Sequence, residues 1–160
     1  MRFALSTAGL ATVALAGTAT GATVNFEHEL DRWSGEHSWQ VHAGGPGGAI
    51  VASMSPSGSY ISSWYPGCSV TAFTLDSASS HWGRVAGTID LAAGTYHVAM
   101  QDAYGDGWAW GSFVGGLSIG SGSGTVSGSS ASFSFTVVPA PGAMALLGLA
   151  GLAARRRRRD

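Results

Sequence analysis

Alternating apolar and polar residues are the feature of this 160-residue chain that most constrains its fold. Successive side chains of a β-strand point to opposite faces, so an alternation with a period of two predicts strands that bury one face. Stretches rich in Gly, Ser and Pro separate the alternating segments and predict turns about every ten residues. The clearest alternating segments are residues 24–30, 39–41, 96–100 and 133–137.

This pattern predicts an all-β fold in which residues 23–137 form an antiparallel β-sandwich of the jelly-roll or CUB-like kind. Alternate residues of two sheets are expected to form the core, and a domain of this size needs no disulfide to bury enough surface. Cys68 is the only cysteine, and we expect either a buried thiol or an intermolecular link there. The Ser/Gly-rich run at residues 118–130 predicts a long hairpin loop, because an alternating segment follows it.

Residues 1–22 have the features of a secretory signal. Arg2 is followed by an apolar segment at residues 3–16, which is too short to span a bilayer comfortably. Thr20 and Ala22 place small residues where signal peptidase requires them. We therefore expect a signal helix that signal peptidase removes by cleavage after Ala22. The alternative is a buried N-terminal helix.

The C-terminus combines two prolines, an apolar segment and a block of arginines. Pro139 and Pro141 end any preceding strand. The apolar segment, residues 142–154, would form about 20 Å of helix, which is short of the ~30 Å hydrocarbon core of a bilayer. Arginines resist translocation and can snorkel to the interface, so we expect a short hydrophobic helix that inserts transiently into the inner membrane. These stop-transfer cations are Arg155, Arg156, Arg157, Arg158 and Arg159.

This tail resembles the PEP-CTERM sorting signal of Gram-negative bacteria, in which a Pro-x-Pro motif precedes an apolar helix and an arginine cluster. The common motif has Glu between the prolines, where this chain has Ala. The resemblance covers residues 138–160 and implies that an exosortase-type transpeptidase removes the tail. The body would then lie at the cell surface or in the extracellular matrix, amid polysaccharide. The matching motif residues are Val138, Pro139, Ala140, Pro141 and Gly142.

The charge of the central region argues against nucleic acid as a partner. Between residues 23 and 138, Arg32 and Arg84 stand against eight acidic residues. Such a surface repels a phosphate backbone. A basic tail that binds nucleic acid is the alternative for residues 155–159, but it leaves the prolines and the apolar segment without a role.

Two turns rich in acidic residues, Gly and Trp predict a metal site. They read DRWSGEHSW at residues 31–39 and DAYGDGWAWGS at residues 102–112. If both turns lie at the same end of the sandwich, their carboxylates converge and require a compensating cation. Ca²⁺ is the cofactor that such a cluster would take, because it accepts 6–8 oxygen ligands in flexible geometry. The four candidate ligands are Asp31, Glu36, Asp102 and Asp106.

The second turn also has two other interpretations. Asp102 and Asp106 can cap their own backbone as Asx turns, with the glycines between them at positive φ. Its aromatic residues can form a platform on which a sugar stacks, or they can pack in the core. These aromatic residues are Tyr104, Trp108 and Trp110.

The two turns together resemble a module of secreted proteins from environmental bacteria, which carries SETSWEL-like and DSYGDGW-like segments in that order. Here residues 35–41 read GEHSWQV and residues 102–108 read DAYGDGW. The resemblance spans most of residues 24–136. It implies a β-sandwich in an exported protein and no particular reaction.

No nucleophile elbow, zinc-protease motif, phosphate-binding loop or Cys/His metal spacing occurs in the sequence. We therefore expect an exported, exosortase-sorted surface or extracellular-matrix protein without catalytic activity. A carbohydrate-binding module for exopolysaccharide is the alternative. A small secreted hydrolase, with a Ser-His-Asp site assembled in space, is the third hypothesis.

The signal peptide hypothesis predicts that the exported protein begins at Thr23, because signal peptidase cuts after the small residue Ala22. Mass spectrometry of the N-terminal peptide from the exported fraction measures this start. Recovery of the peptide that begins at Met1 in that fraction would contradict the prediction.

Overall fold

The computed structural model describes residues 21–56, 65–75 and 81–138. Within these ranges the only helix is a 3₁₀ turn at Ser34–Glu36, between β1 and β2. The strands are β1 (Ala22–Asp31), β2 (His37–Ala43), β3 (Ile50–Met54), β4 (Ser69–Leu75), β5 (His81–Leu91), β6 (Gly94–Asp102), β7 (Ala109–Trp110), β8 (Phe113–Val114), β9 (Gly116–Ile119), β10 (Gly122–Gly124) and β11 (Ser130–Val137).

Two antiparallel sheets make up most of the described chain. One has five strands in the order β10-β9-β1-β5-β4, and the other has four in the order β11-β6-β2-β3. Strands β7 and β8 form a separate two-stranded hairpin. The prediction of an all-β, antiparallel fold is confirmed. The predicted signal helix and the predicted C-terminal helix lie outside the described residues, among which no helix has the length and apolar character to cross a membrane.

The core lies between the two sheets and is built from alternate residues, as the sequence pattern predicts. Val24, Phe26 and Leu30 of β1 are buried, and so are Trp39 and Val41 of β2. The rings of Phe26 and Trp39 meet edge to face with their centroids 5.8 Å apart, so the inner faces of the two sheets are in contact. This is the arrangement of a β-sandwich with one shared core.

The Ser/Gly-rich run differs from its prediction as a single long loop. The run contains the end of β9, which pairs with β1, and all of β10, which pairs with β9. The missing side chains of the glycines allow this: a Cβ on Gly122 would lie 2.6 Å from the ring of Phe133, and one on Gly124 would lie 2.8 Å from Met100 Cε. Glycine therefore lets β10 lie directly over side chains of the other sheet.

Cys68 packs against the edge of the core and is partly buried. Burial raises the pKa of its thiol to about 11. The thiol is therefore protonated at neutral pH, which disfavours thiolate chemistry at this position.

Close contact between β1, β4 and β5 requires glycine at position 87. A Cβ there would lie 2.5 Å from the carbonyl oxygen of Ser69 and 2.6 Å from the ring of Phe26. We expect Gly87→Ala to lower the free energy of unfolding by roughly 2 kcal/mol, because an added methyl group must displace backbone or a core ring. Denaturant unfolding of the full chain measures the change.

Gly128→Ala is the matched control, since nothing lies within 4 Å of a Cβ there and its φ is not positive. The control should unfold within about 0.5 kcal/mol of the wild type. Equal stability of the two variants would contradict the packing described for Gly87.

Candidate ligand-binding site

The two acidic turns lie side by side at one end of the two sheets. In the antiparallel pairing of β2 with β6, His37 at the start of β2 is opposite Asp102 at the end of β6. The backbone N–H of Ala103 donates to the carbonyl oxygen of Glu36 at 3.0 Å. Pairing between the strands therefore continues into the turns and brings their side chains together.

Three of the four predicted metal ligands converge. Glu36, Asp102 and Asp106 each place a carboxylate oxygen within 4.8 Å of the others, and we call this group the carboxylate cluster. Partial burial, and then the negative charges of Asp102, Asp106 and Asp31, raise the pKa of Glu36. Repulsion between the carboxylates therefore disfavours the ionised form of Glu36.

Asp102 has two roles in its turn. Its Oδ1 accepts a hydrogen bond from the N–H of Gly105 at 2.5 Å, and Gly105 and Gly107 have φ values of 93° and 98°. Asp102 therefore caps its own backbone, although it accepts the N–H three residues on rather than the N–H two residues on that defines an Asx turn. The side chain is only 5% exposed, and its Oδ2 is buried with no hydrogen-bond partner. One oxygen of Asp102 shapes the turn, and the other makes no hydrogen bond with the described residues.

Asp31, the fourth predicted ligand, is not part of the carboxylate cluster. It is fully buried, and its Oδ1 accepts a hydrogen bond from the N–H of Trp33 at 2.8 Å. The same oxygen lies 3.1 Å from Nε2 of His37. These polar partners hold Asp31 inward, where it fixes the start of the turn.

A buried polar group lies beneath the turns. Nε2 of His28 is 3.1 Å from Nδ1 of His37, and both rings are fully buried. Burial, and then the proximity of His37, lower the pKa of His28 well below its usual value. This pair was not predicted, although the alternation in β1 places His28 on the same face as Phe26 and Leu30.

Trp108 packs against this histidine pair. Its ring stacks on His37 with centroids 4.3 Å apart and an interplanar angle of 14°, and its Nε1 donates to the carbonyl oxygen of Gln101 at 3.2 Å. The residue has no exposed surface. The prediction that Trp108 stacks on a ligand is therefore wrong, and the alternative of core packing is confirmed for it.

The other predicted stacking residues are exposed and line one cleft. Tyr104 is 79% exposed and Trp110 is 40% exposed. Trp33, which the sequence analysis did not select, is 46% exposed and meets Trp110 edge to face with centroids 5.6 Å apart. We call this open space of about 360 Å³ the aromatic cleft; it is lined by Trp33, Glu36, Tyr104, Asp106 and Trp110.

Arg32 forms part of the rim of the cleft. Its guanidinium carbon lies 5.9 Å from the ring centroid of Trp33 and 5.7 Å from that of Trp110. A cation over two indole rings is attracted to both and limits their motion. Arg32, Trp33 and Trp110 thus form one group of side chains in mutual contact at the cleft.

The cleft offers apolar ring faces beside carboxylates, which can stack on a ligand and accept hydrogen bonds from it. The nearby Ser34, His37 and Asp31 do not form an accessible catalytic group, because all three are fully buried. Comparison with protein-family models, with curated proteins and with solved structures finds no match for this chain.

The buried state of His28 predicts how stability depends on pH. The pKa of His28 is lowered in the folded chain, so the unfolded chain binds the proton first as pH falls below the usual histidine pKa of 6.5. The contribution of this residue is therefore fully present above that pH and declines below it, by at most about 1.4 kcal/mol per pH unit. We expect His28→Gln to flatten the decline between pH 6.5 and 5.5, as measured by denaturant unfolding.

His42→Gln is the control, because this ring lies partly exposed on the outer face of β2. It should leave the slope of the wild type unchanged. A wild-type slope that His28→Gln does not alter would contradict the account of the buried pair.

Proposed function

We propose that this chain is an exported surface or extracellular-matrix protein without catalytic activity, whose β-sandwich binds extracellular polysaccharide in the aromatic cleft. The observation that carries the proposal is the set of three exposed aromatic side chains, from Trp33, Tyr104 and Trp110, that line one cleft beside Glu36 and Asp106. In this proposal the protein is located at the cell surface or in the matrix, and binding of polysaccharide is its role there.

A sugar ring suits this combination of groups. One face of a pyranose is made of C–H groups and packs on an indole or phenol ring, while its hydroxyl groups donate hydrogen bonds to carboxylates. Trp33 meets Trp110 edge to face, and Arg32 lies over both rings, so each indole ring has contacts that favour this orientation. A cleft that is already ordered loses less conformational entropy when it binds.

The export part of the proposal rests on the two ends of the chain. Val138, the first residue of the Pro-x-Pro motif, is exposed and directly follows β11. An exosortase-type transpeptidase would therefore meet this end of the motif at the surface of the sandwich. The same proposal includes removal of residues 1–22 by signal peptidase and transient insertion of the tail into the inner membrane. It places the finished protein at the cell surface or in the matrix, and it assigns the sandwich to the jelly-roll or CUB-like kind.

The proposal predicts that polysaccharide binding depends on Trp110. We expect Trp110→Ala to weaken binding about tenfold, since an aromatic contact contributes about 1.5 kcal/mol and 1.4 kcal/mol corresponds to a factor of ten. Isothermal titration of the full chain with the neutral polymers dextran, xylan and hydroxyethylcellulose measures this affinity.

Phe73→Ala is the matched control for this measurement. Phe73 is 42% exposed, close to the exposure of Trp110, but it lies on the edge strand β4, which β5 separates from β1, and it does not line the cleft. The control should bind as the wild type does. An equal loss in both variants, or saturable binding that neither changes, would contradict the assignment of the cleft.

A further inference from the structure

The carboxylate cluster and the aromatic cleft share two residues. Glu36 and Asp106 belong to the cluster and also line the cleft. Whatever occupies the cluster therefore forms part of the wall that a ligand in the cleft would contact.

No arginine or lysine neutralises the cluster within residues 21–56, 65–75 and 81–138, which contain only Arg32 and Arg84. Arg84 lies 3.0 Å from Oε1 of Glu27 and 3.8 Å from Oε1 of Glu29. Arg32 lies over the two indole rings of the cleft. Among the described residues, these three carboxylates lie close together without a side-chain partner of opposite charge.

Asp102 gives an independent indication of a ligand. Its side chain is almost entirely buried and its carboxylate belongs to the cluster, yet its Oδ2 has no hydrogen-bond partner. A buried carboxylate oxygen without a partner is costly, because it has lost its water and gained nothing in return. A cation that the Asp102 carboxylate binds through Oδ2 would satisfy this oxygen.

The spacing of the oxygens fits one Ca²⁺ ion. Ca–O distances are about 2.3–2.6 Å, so two oxygens on opposite sides of an ion are at most about 5 Å apart. The three carboxylate oxygens of the cluster, one from each residue, lie within 4.8 Å of one another. Three protein ligands leave several of the 6–8 coordination positions of Ca²⁺ open. Mg²⁺ requires a more regular octahedron, and softer metals prefer imidazole or thiolate ligands.

We infer that Glu36, Asp102 and Asp106 bind a Ca²⁺ ion in the wall of the aromatic cleft, and that hydroxyl groups of the polysaccharide in the cleft complete its coordination. The ion site stands on the cluster alone, whereas the role of the hydroxyl groups rests on the proposed function. Coupling between two ligands is reciprocal, so Ca²⁺ should strengthen polysaccharide binding by the same factor as polysaccharide strengthens Ca²⁺ binding.

Titration of the purified full chain with CaCl₂ alone, by calorimetry, tests the ion site. We expect saturable binding of one ion, and a loss of affinity of roughly tenfold or more in Asp102→Asn and in Asp106→Asn. Asparagine at position 102 retains the Oδ1 that accepts the N–H of Gly105, so the turn should keep its shape while the charge is lost. Circular dichroism without Ca²⁺ verifies that both variants are folded.

Asp90→Asn is the control for the loss of one carboxylate. Asp90 accepts a hydrogen bond from Thr23 Oγ1, near the start of β1 and thus at the opposite end of the sheet from the cluster. This variant should bind Ca²⁺ as the wild type does. Absence of saturable Ca²⁺ binding in the wild type, or an equal loss in all three variants, would overturn the ion site. Equal affinity for MgCl₂ would overturn its assignment to Ca²⁺.

Titration with dextran, xylan and hydroxyethylcellulose, in excess CaCl₂ and in EGTA, tests the coupling. We use neutral polymers because they do not compete for the ion. We expect EGTA to weaken binding of the wild type about tenfold or more and to have little effect on Asp102→Asn. Polysaccharide binding that EGTA leaves unchanged would overturn the coupling while supporting the proposed function. Ca²⁺ binding without any polysaccharide binding would overturn the proposed function and leave the ion site standing.

Discussion

A buried contact between Asp31 and His37 joins the two sheets at the end of the molecule where the candidate site lies. Asp31 ends β1 in the five-stranded sheet, and His37 begins β2 in the four-stranded sheet. Their side chains lie 3.1 Å apart, and Asp31 also accepts the backbone N–H of Trp33. The short turn that carries Trp33 and Glu36 is therefore fixed at both ends. The positions of these two residues follow from that constraint.

At this end of the molecule several polar side chains are buried and several aromatic side chains are exposed, the reverse of the usual distribution. His28, His37 and Asp31 are fully buried, while Trp33 and Trp110 are exposed. Burying polar groups is favourable only when they are paired, and the close contacts within the buried group meet that requirement in part. Exposed aromatic side chains gathered in one place are unusual on a monomeric protein and are typical of a binding surface.

Much of the fold could be predicted from the sequence because alternation reports burial directly. The alternation is clear in β1, β2, β6 and β11, where large apolar residues occupy the inward positions. It is weak in β5, because Gly83 and Gly87 take inward positions there. Glycine carries no hydropathy signal, yet the close approach of Phe26 requires it at position 87.

The candidate site was predicted less completely, for two local reasons. Trp108 and Trp110 are two residues apart and would share a face in a regular strand, but Gly107 at positive φ precedes Trp108, and β7 begins only at Ala109. One ring is therefore buried and the other exposed. Asp31 and Glu36 occupy the same turn. The pairing of β1 with β5 shifts register between Leu30 and Asp31, so both of these residues are buried, whereas Glu36 lines the cleft.

The central claim is that the two acidic turns form a single site at one end of the sandwich. Chemical-shift mapping of the ¹⁵N-labelled full chain, titrated with CaCl₂ and then with a neutral oligosaccharide, tests it most directly. The account predicts that both titrations shift the signals of residues 31–37 and 102–112, including the indole signals of Trp33 and Trp110. A second groove is lined by Glu27 and Glu29 beside β9 and β10. Chemical-shift changes confined to the residues of that groove would contradict the claim.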